Sequence, residues 1–154
     1  MPTDRIELEE CRQIPTRAAD GAANGRVIEL WKDGQKTTAY VTVTAPGQMK
    51  GFHLHRRRAC RFVPIRGRLT MILVSPGKRS EISLDTAHPQ RLTVPPGFCI
   101  GLKNVDTEEA WLLNIPVPAY DPDDRDEQME ISAAEIDRIL AAEETPESLA
   151  ALQY

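Results

Sequence analysis

No apolar run in this chain is long enough to cross a bilayer. The longest are short stretches such as Met71-Ile72-Leu73-Val74, far below the ~20 residues a spanning helix needs. No membrane partner is expected. The opening residues, Met1-Pro2-Thr3-Asp4, carry no apolar leader, so a cytoplasmic protein is expected. Cysteine is scarce. Cys11, Cys60 and Cys99 are odd in number and far apart, with no Cys-x-x-Cys pair. That pattern gives neither a zinc knuckle nor a disulfide framework; free, buried thiols are the expectation. Aromatics are 5% of the chain and the net charge is −4. Without a basic helix or a stacking series, nucleic acid is not an expected partner.

Acids are missing where bases gather. From Gly34 to Ser80 there is no Asp or Glu, but there are ten bases: Lys36, Lys50, Arg56, Arg57, Arg58, Arg61, Arg66, Arg68, Lys78 and Arg79. From Asp121 to Tyr154 eleven acids face only Arg125 and Arg138. The segregation favours an anionic ligand such as a phosphate or carboxylate. A solvated basic face balanced by the acidic tail would give the same pattern.

With 154 residues, 41% apolar and 27% charged, the chain reads as one domain with a real core. Short apolar segments recur between turn residues: Arg26–Trp31, Thr38–Thr44, Gly51–His55, Cys60–Ile65, Leu69–Val74, Glu81–Leu84, Arg91–Val94, Phe98–Lys103 and Ala110–Ile115. Breakers such as Lys32-Asp33-Gly34, Ala45-Pro46-Gly47 and Pro95-Pro96-Gly97 separate them. Strands this short and regular predict an all-β sandwich or barrel. Near the C-terminus, Ser132-Ala133-Ala134-Glu135 reads as a capping box, with Ile131 and Ile136 as its hydrophobic staple. It predicts a helix over Ala133–Glu143, and Thr145-Pro146 predicts a second short one. Both are assigned to packing or association. The expected organisation is a β-barrel over 1–130 and a helical tail of the same domain over 131–154.

The chemistry gathers in Lys50-Gly51-Phe52-His53-Leu54-His55-Arg56-Arg57-Arg58. In a strand, residues i and i+2 share a face, so His53 and His55 point one way and Phe52 and Leu54 the other. The apolar pair needs cover, from a second sheet or a dimer partner. Two imidazoles beside three arginines suit proton transfer, or metal chemistry, on an anionic ligand. His88 lies in a Pro-flanked turn and is expected to be exposed. Trp31 and Trp111 are expected in the core or an interface.

The spacing of these residues resembles the first motif of the cupin superfamily. Five residues separate Gly47 from His53, His55 follows, Cys60 stands at the motif's Glu, and Gly67 closes it. The second motif is similar to Pro95-Pro96-Gly97, with Ile100 at its His and Asn104 at its Asn. More narrowly, Lys50-Gly51-Phe52-His53 and Pro95-Pro96-Gly97-Phe98 resemble the dTDP-4-dehydrorhamnose 3,5-epimerases. His53-Leu54-His55-Arg56, Ile82-Ser83-Leu84-Asp85 and Tyr120-Asp121-Pro122-Asp123-Asp124 resemble the dTDP-4-keto-6-deoxyhexose 3,4-ketoisomerases. The likeness runs from about Gly25 to Asp126.

The resemblance implies an all-β, jelly-roll cupin (double-stranded β-helix) barrel with short C-terminal helices, associating as a homodimer. It implies a metal-independent isomerase or epimerase of a nucleotide-linked 4-keto-6-deoxy sugar, with no cofactor. His53 would be the base and His55 a second acid/base. Lys50, Arg56, Arg58, Arg61, Cys60, Asn114 and Tyr120 would bind substrate, the arginines on the diphosphate. The chain departs from the epimerases in carrying Cys60 near their Lys, Asn114 near their Tyr and Ile100 where they have His. Arg61 is a candidate to replace the missing cation. Two other readings stay open: a non-catalytic cupin that binds a sugar nucleotide or small anion, and a metal-dependent cupin using His53, His55 and Cys60.

Overall fold

In the computed structural model, residues 12–32, 38–88 and 90–142 are described, with backbone only for 30–32. The turn at Asp33-Gly34, the Trp31 side chain, Cys11 and the helix expected from Thr145 lie outside the described residues. The strands are β1 Arg12–Arg17, β2 Ala23–Lys32, β3 Thr38–Thr44, β4 Met49–His55, β5 Cys60–Arg66 and β6 Arg68–Ser75. They continue as β7 Lys78–Asp85, β8 Leu92–Val94, β9 Cys99–Asn104, β10 Ala110–Asn114 and β11 Gln128–Glu130, followed by the helix α1 Ala133–Ala141. Each of the nine segments expected from alternation is a strand, so the all-β expectation holds. The strands β1 and β11 were not anticipated.

The strands form two antiparallel sheets, ordered β1-β2-β3-β10-β5-β8 and β11-β4-β9-β6-β7. Alternation fills the space between them from both sides. Cys60 and Phe62 of β5, Leu69 and Met71 of β6, Leu102 of β9 and Ala110 and Leu112 of β10 form the buried core. Toward one edge the packing opens into a cavity. Asn104 tightens one end of the barrel: fully buried, it donates to Thr44 O at 3.0 Å and Glu108 O at 2.8 Å and accepts from the Asp106 N–H at 2.8 Å.

The outer side of β4 corrects one expectation. Phe52 and Leu54 are covered by the helix α1 rather than by a second sheet. They pack with Ile136, Ile139 and Leu140 of α1 and with Ile72, Val74 and Cys99 of the sheet. Gly101 makes room for this, since a Cβ there would meet the Phe52 ring at 2.8 Å and Met49 Cε at 2.9 Å. The helix starts at the expected capping box: Ser132 Oγ accepts from the Glu135 N–H at 3.2 Å, and Glu135 Oε2 accepts from the Ser132 N–H at 2.7 Å. Cys60 and Cys99 are buried free thiols, as expected. His88 is exposed, and Trp111 lies on the outside of the larger sheet with Arg26 and Arg66 each 5.9 Å from its ring.

Candidate active site

A cavity of about 1170 Å³ opens between the sheets, and β4 points Lys50, His53 and His55 into it. The β4–β9 register shifts between Lys50 and His53. Gly51 sits at this irregularity with φ +106°, and a Cβ there would stand 2.6 Å from Ile100 O, so only glycine fits. His53 pairs across the strands with Ile100, which also lines the cavity. The residue at the second-motif histidine position is thus in place, but apolar.

His55 is the best-held side chain of the pair. Its Nδ1 is 3.1 Å from Glu127 Oε2. Glu127 is 3% exposed. Its Oε1 accepts the Arg58 N–H at 2.9 Å, and its Oε2 accepts Arg58 Nε at 2.7 Å. An ionised carboxylate only accepts, so His55 donates from Nδ1 and keeps its lone pair on Nε2. His53 has the opposite arrangement. The Gln128 Nε2 amide lies 3.5 Å from His53 Nδ1, a long contact that, with the amide as donor, favours the His53 proton on Nε2. The two strand neighbours therefore hold complementary tautomers.

The charges agree. Burial holds His53 below the ordinary imidazole value, only partly opposed by Glu130. Burial likewise lowers His55, against the pull of Glu127. Both rings are neutral at neutral pH, as a base and a hydrogen-bond donor require. Burial would raise the Glu127 carboxyl, but the Arg58 N–H, His55 and the Arg58 guanidinium outweigh it and hold it at about 2.

Glu127 is the residue sequence reasoning missed. It lies 72 positions from His55, within an acidic stretch that offers no spacing signal. Tyr40 was also missed. It stands opposite Asn114 in the β3–β10 register, lines the cavity, and is pushed up to about 12, chiefly by burial. Asn114 lines the cavity beside it, with its buried Oδ1 unpartnered. Tyr120 borders both this cavity and an adjoining one of about 420 Å³, its ring 5.3 Å from the Arg58 guanidinium.

The arginine run is not the cluster its sequence suggested. Arg56 donates to the Met129 sulfur at 2.8 Å. Arg57 pairs with Asp124 and Asp126, and Arg58 with Glu127. The acidic segment thus answers Arg57 and Arg58, while Arg56 turns to a methionine. Arg61 donates to Ile115 O at 3.1 Å; its neighbour Phe62 lines the cavity, so alternation turns Arg61 to the other face. The structure brings together Lys50, His53, His55, Asn114 and Tyr120, with Arg58 at the border, and leaves Arg56 and Arg61 outside. Cys60 is in the core, 1% exposed, and burial pushes its thiol to about 11. Among the described residues no three His, Cys, Asp or Glu side chains gather as a metal site needs, so the His53/His55/Cys60 donors form no cluster.

Two facing antiparallel sheets with a side-chain-lined mouth define a jelly-roll cupin, and solved structures share that fold. The chain superposes on the capsular polysaccharide assembling protein CapF from Staphylococcus aureus with a TM-score of 0.67 and 14% identity, over 79% of this chain and 35% of that one. For a dTDP sugar isomerase from Desulfovibrio desulfuricans G20 the values are 0.61 and 19%, over 90% and 92%. For oxalate decarboxylase they are 0.58 and 17%, over 70% and 28%. The chain spans about a third of the length of the CapF structures it matches. Residues 20–128 match the polysaccharide biosynthesis C-terminal domain family, and the chain belongs to that family. No curated protein matches it by sequence.

Proposed function

We propose that this cupin isomerises a nucleotide-linked, dTDP-type 4-keto-6-deoxy sugar by proton transfer beside the ketone, without a metal or cofactor. The observation that carries the reading is the Glu127–His55 pair opening on the cavity beside His53. The family's link to polysaccharide biosynthesis and the fold shared with a dTDP sugar isomerase supply the substrate class.

A ketone acidifies its neighbouring C–H bond. His55 Nε2 takes that proton, and Glu127 steadies the imidazolium that forms. The electron pair left on carbon moves into the C–C bond, and the ketone oxygen receives a proton from His53 Nε2, giving an enediol. Return of a proton to the other carbon, with loss of one from the other hydroxyl, completes the isomerisation with no net change in atoms. The resemblance assigns the base to His53; the hydrogen bonds favour His55 as base and His53 as donor. Tyr40 and Asn114 hold sugar hydroxyls. Arg58 is a positioning residue, acting through Glu127.

We also propose one domain, with the barrel over 1–130 and its tail over 131–154, acting as a cytoplasmic homodimer. On the outer face of the larger sheet, Ile28, Val63 and Leu113 are only half-buried, which favours a partner there. NMR of dTDP-4-keto-6-deoxyglucose incubated with the protein tests the reaction. Wild type and His88→Asn should form an isomer, while His53→Asn and His55→Asn should not. Wild type that binds the sugar nucleotide and leaves it unchanged overturns the reading.

A further inference from the structure

The cations that line or border the large cavity differ in what they already hold. Arg58 is committed to Glu127. Arg12 stands opposite Glu29 in the β1–β2 register. Lys50 and Arg17, like Arg12, pair with no carboxylate among the described residues. Lys50 Nζ reaches from one sheet to the other and donates to Thr16 Oγ1 at 2.6 Å. Arg17, the next residue along β1, donates one Nη to Gly21 O at 3.0 Å and keeps the rest of its fork. Ala18 and Ala19 continue the same rim of the cavity.

Lys50 is half-buried. Burial first, then the nearby Arg26, lower it to about 8. A desolvated ammonium among cations, with no carboxylate beside it, is unfavourable until an anion arrives. We infer that Lys50, Thr16 and Arg17 form an anion subsite that seats the diphosphate of the substrate. Its assignment to the substrate rests on the sugar-nucleotide reading above; anion binding itself does not. Lys50 precedes His53 by three residues, at most about 10 Å along a strand. A ligand held there by its diphosphate therefore extends its sugar toward the imidazoles. The subsite also supplies what Arg56 and Arg61 do not, since both are directed elsewhere.

Titration calorimetry of the full chain with inorganic pyrophosphate tests this. Wild type should bind. Lys50→Met and Arg17→Gln should each raise Kd about tenfold or more, the loss of one charge-assisted contact, and Lys50→Arg should stay within a few-fold of wild type. Arg17 is exposed, so its variant reads binding rather than folding. No binding by wild type overturns the inference. So does loss of binding in Arg56→Gln or Arg61→Gln while Lys50→Met and Arg17→Gln bind normally. Pyrophosphate carries no sugar, so its binding and the isomerisation assay can fail independently.

Discussion

At the scale of single residues, Glu127 holds both His55 and Arg58. Its carboxylate sets the His55 tautomer and ties down Arg58. Glu127→Gln keeps the shape but can present an N–H donor to His55 Nδ1, which favours the other His55 tautomer. We expect kcat to fall about 100-fold or more, with substrate Kd changed far less; steady-state kinetics beside calorimetry checks this. The variant should also move acid unfolding. A carboxyl held at about 2 in the folded state and near 4.5 when unfolded contributes on the order of 3 kcal/mol. That stability is fully present above about pH 4.5 and is lost as pH falls toward 2. Wild type should therefore lose more stability over that window than Glu127→Gln, measured by denaturant unfolding at each pH. The imidazoles are lowered from 6.5 by burial, so both stay neutral below that value. The acid limb of kcat/KM should fall below pH 6.5, and a limb above it would contradict the assignment. The histidine pair was legible because i, i+2 spacing in a strand needs no tertiary information. Glu127 and the true partners of Arg56, Arg57 and Arg58 were not, because every one of those contacts joins distant parts of the chain.

At the scale of elements, β4 is the strand that matters, and both of its faces are engaged. One face supplies Lys50, His53 and His55; the other is sealed by α1. Gly51→Ala would place a methyl 2.6 Å from Ile100 O at a φ of +106°, strained twice over. We expect a loss of more than about 2 kcal/mol, or failure to fold, seen in thermal unfolding. Ile136→Ala, 4% exposed, should cost about 2–5 kcal/mol, and Ser132→Ala about 1 kcal/mol through the lost cap. Nine strands could be read because alternation and turn residues bound them. The strand β1, Arg-Gln-Ile-Pro-Thr-Arg, is polar, mostly exposed and contains a proline, all features that hide a strand at a sheet edge. The strand β11 is three exposed residues, too short for any periodicity. Both edges matter, since β1 brings Thr16 and Arg17 to the cavity and β11 brings Gln128.

At the scale of the whole molecule, the barrel separates its tasks. The closed end is a packed core stitched by Asn104. The open end holds a cation rim, two neutral imidazoles and the polar pair Tyr40 and Asn114. The motif glycines and prolines were readable because they mark turns; what fills the open end depends on which strands become neighbours, which no short motif specifies. Sedimentation should give a species of twice the 17.2 kDa chain, and a monomer at micromolar concentration would remove the homodimer proposal. The central claim is that this cavity moves a proton beside a ketone. Deuterium uptake from D₂O into bound dTDP-4-keto-6-deoxyglucose tests it most directly. The account predicts deuterium at a carbon next to the ketone with wild type and none with His55→Asn. Tight binding of the sugar nucleotide with no deuterium at any carbon would contradict it.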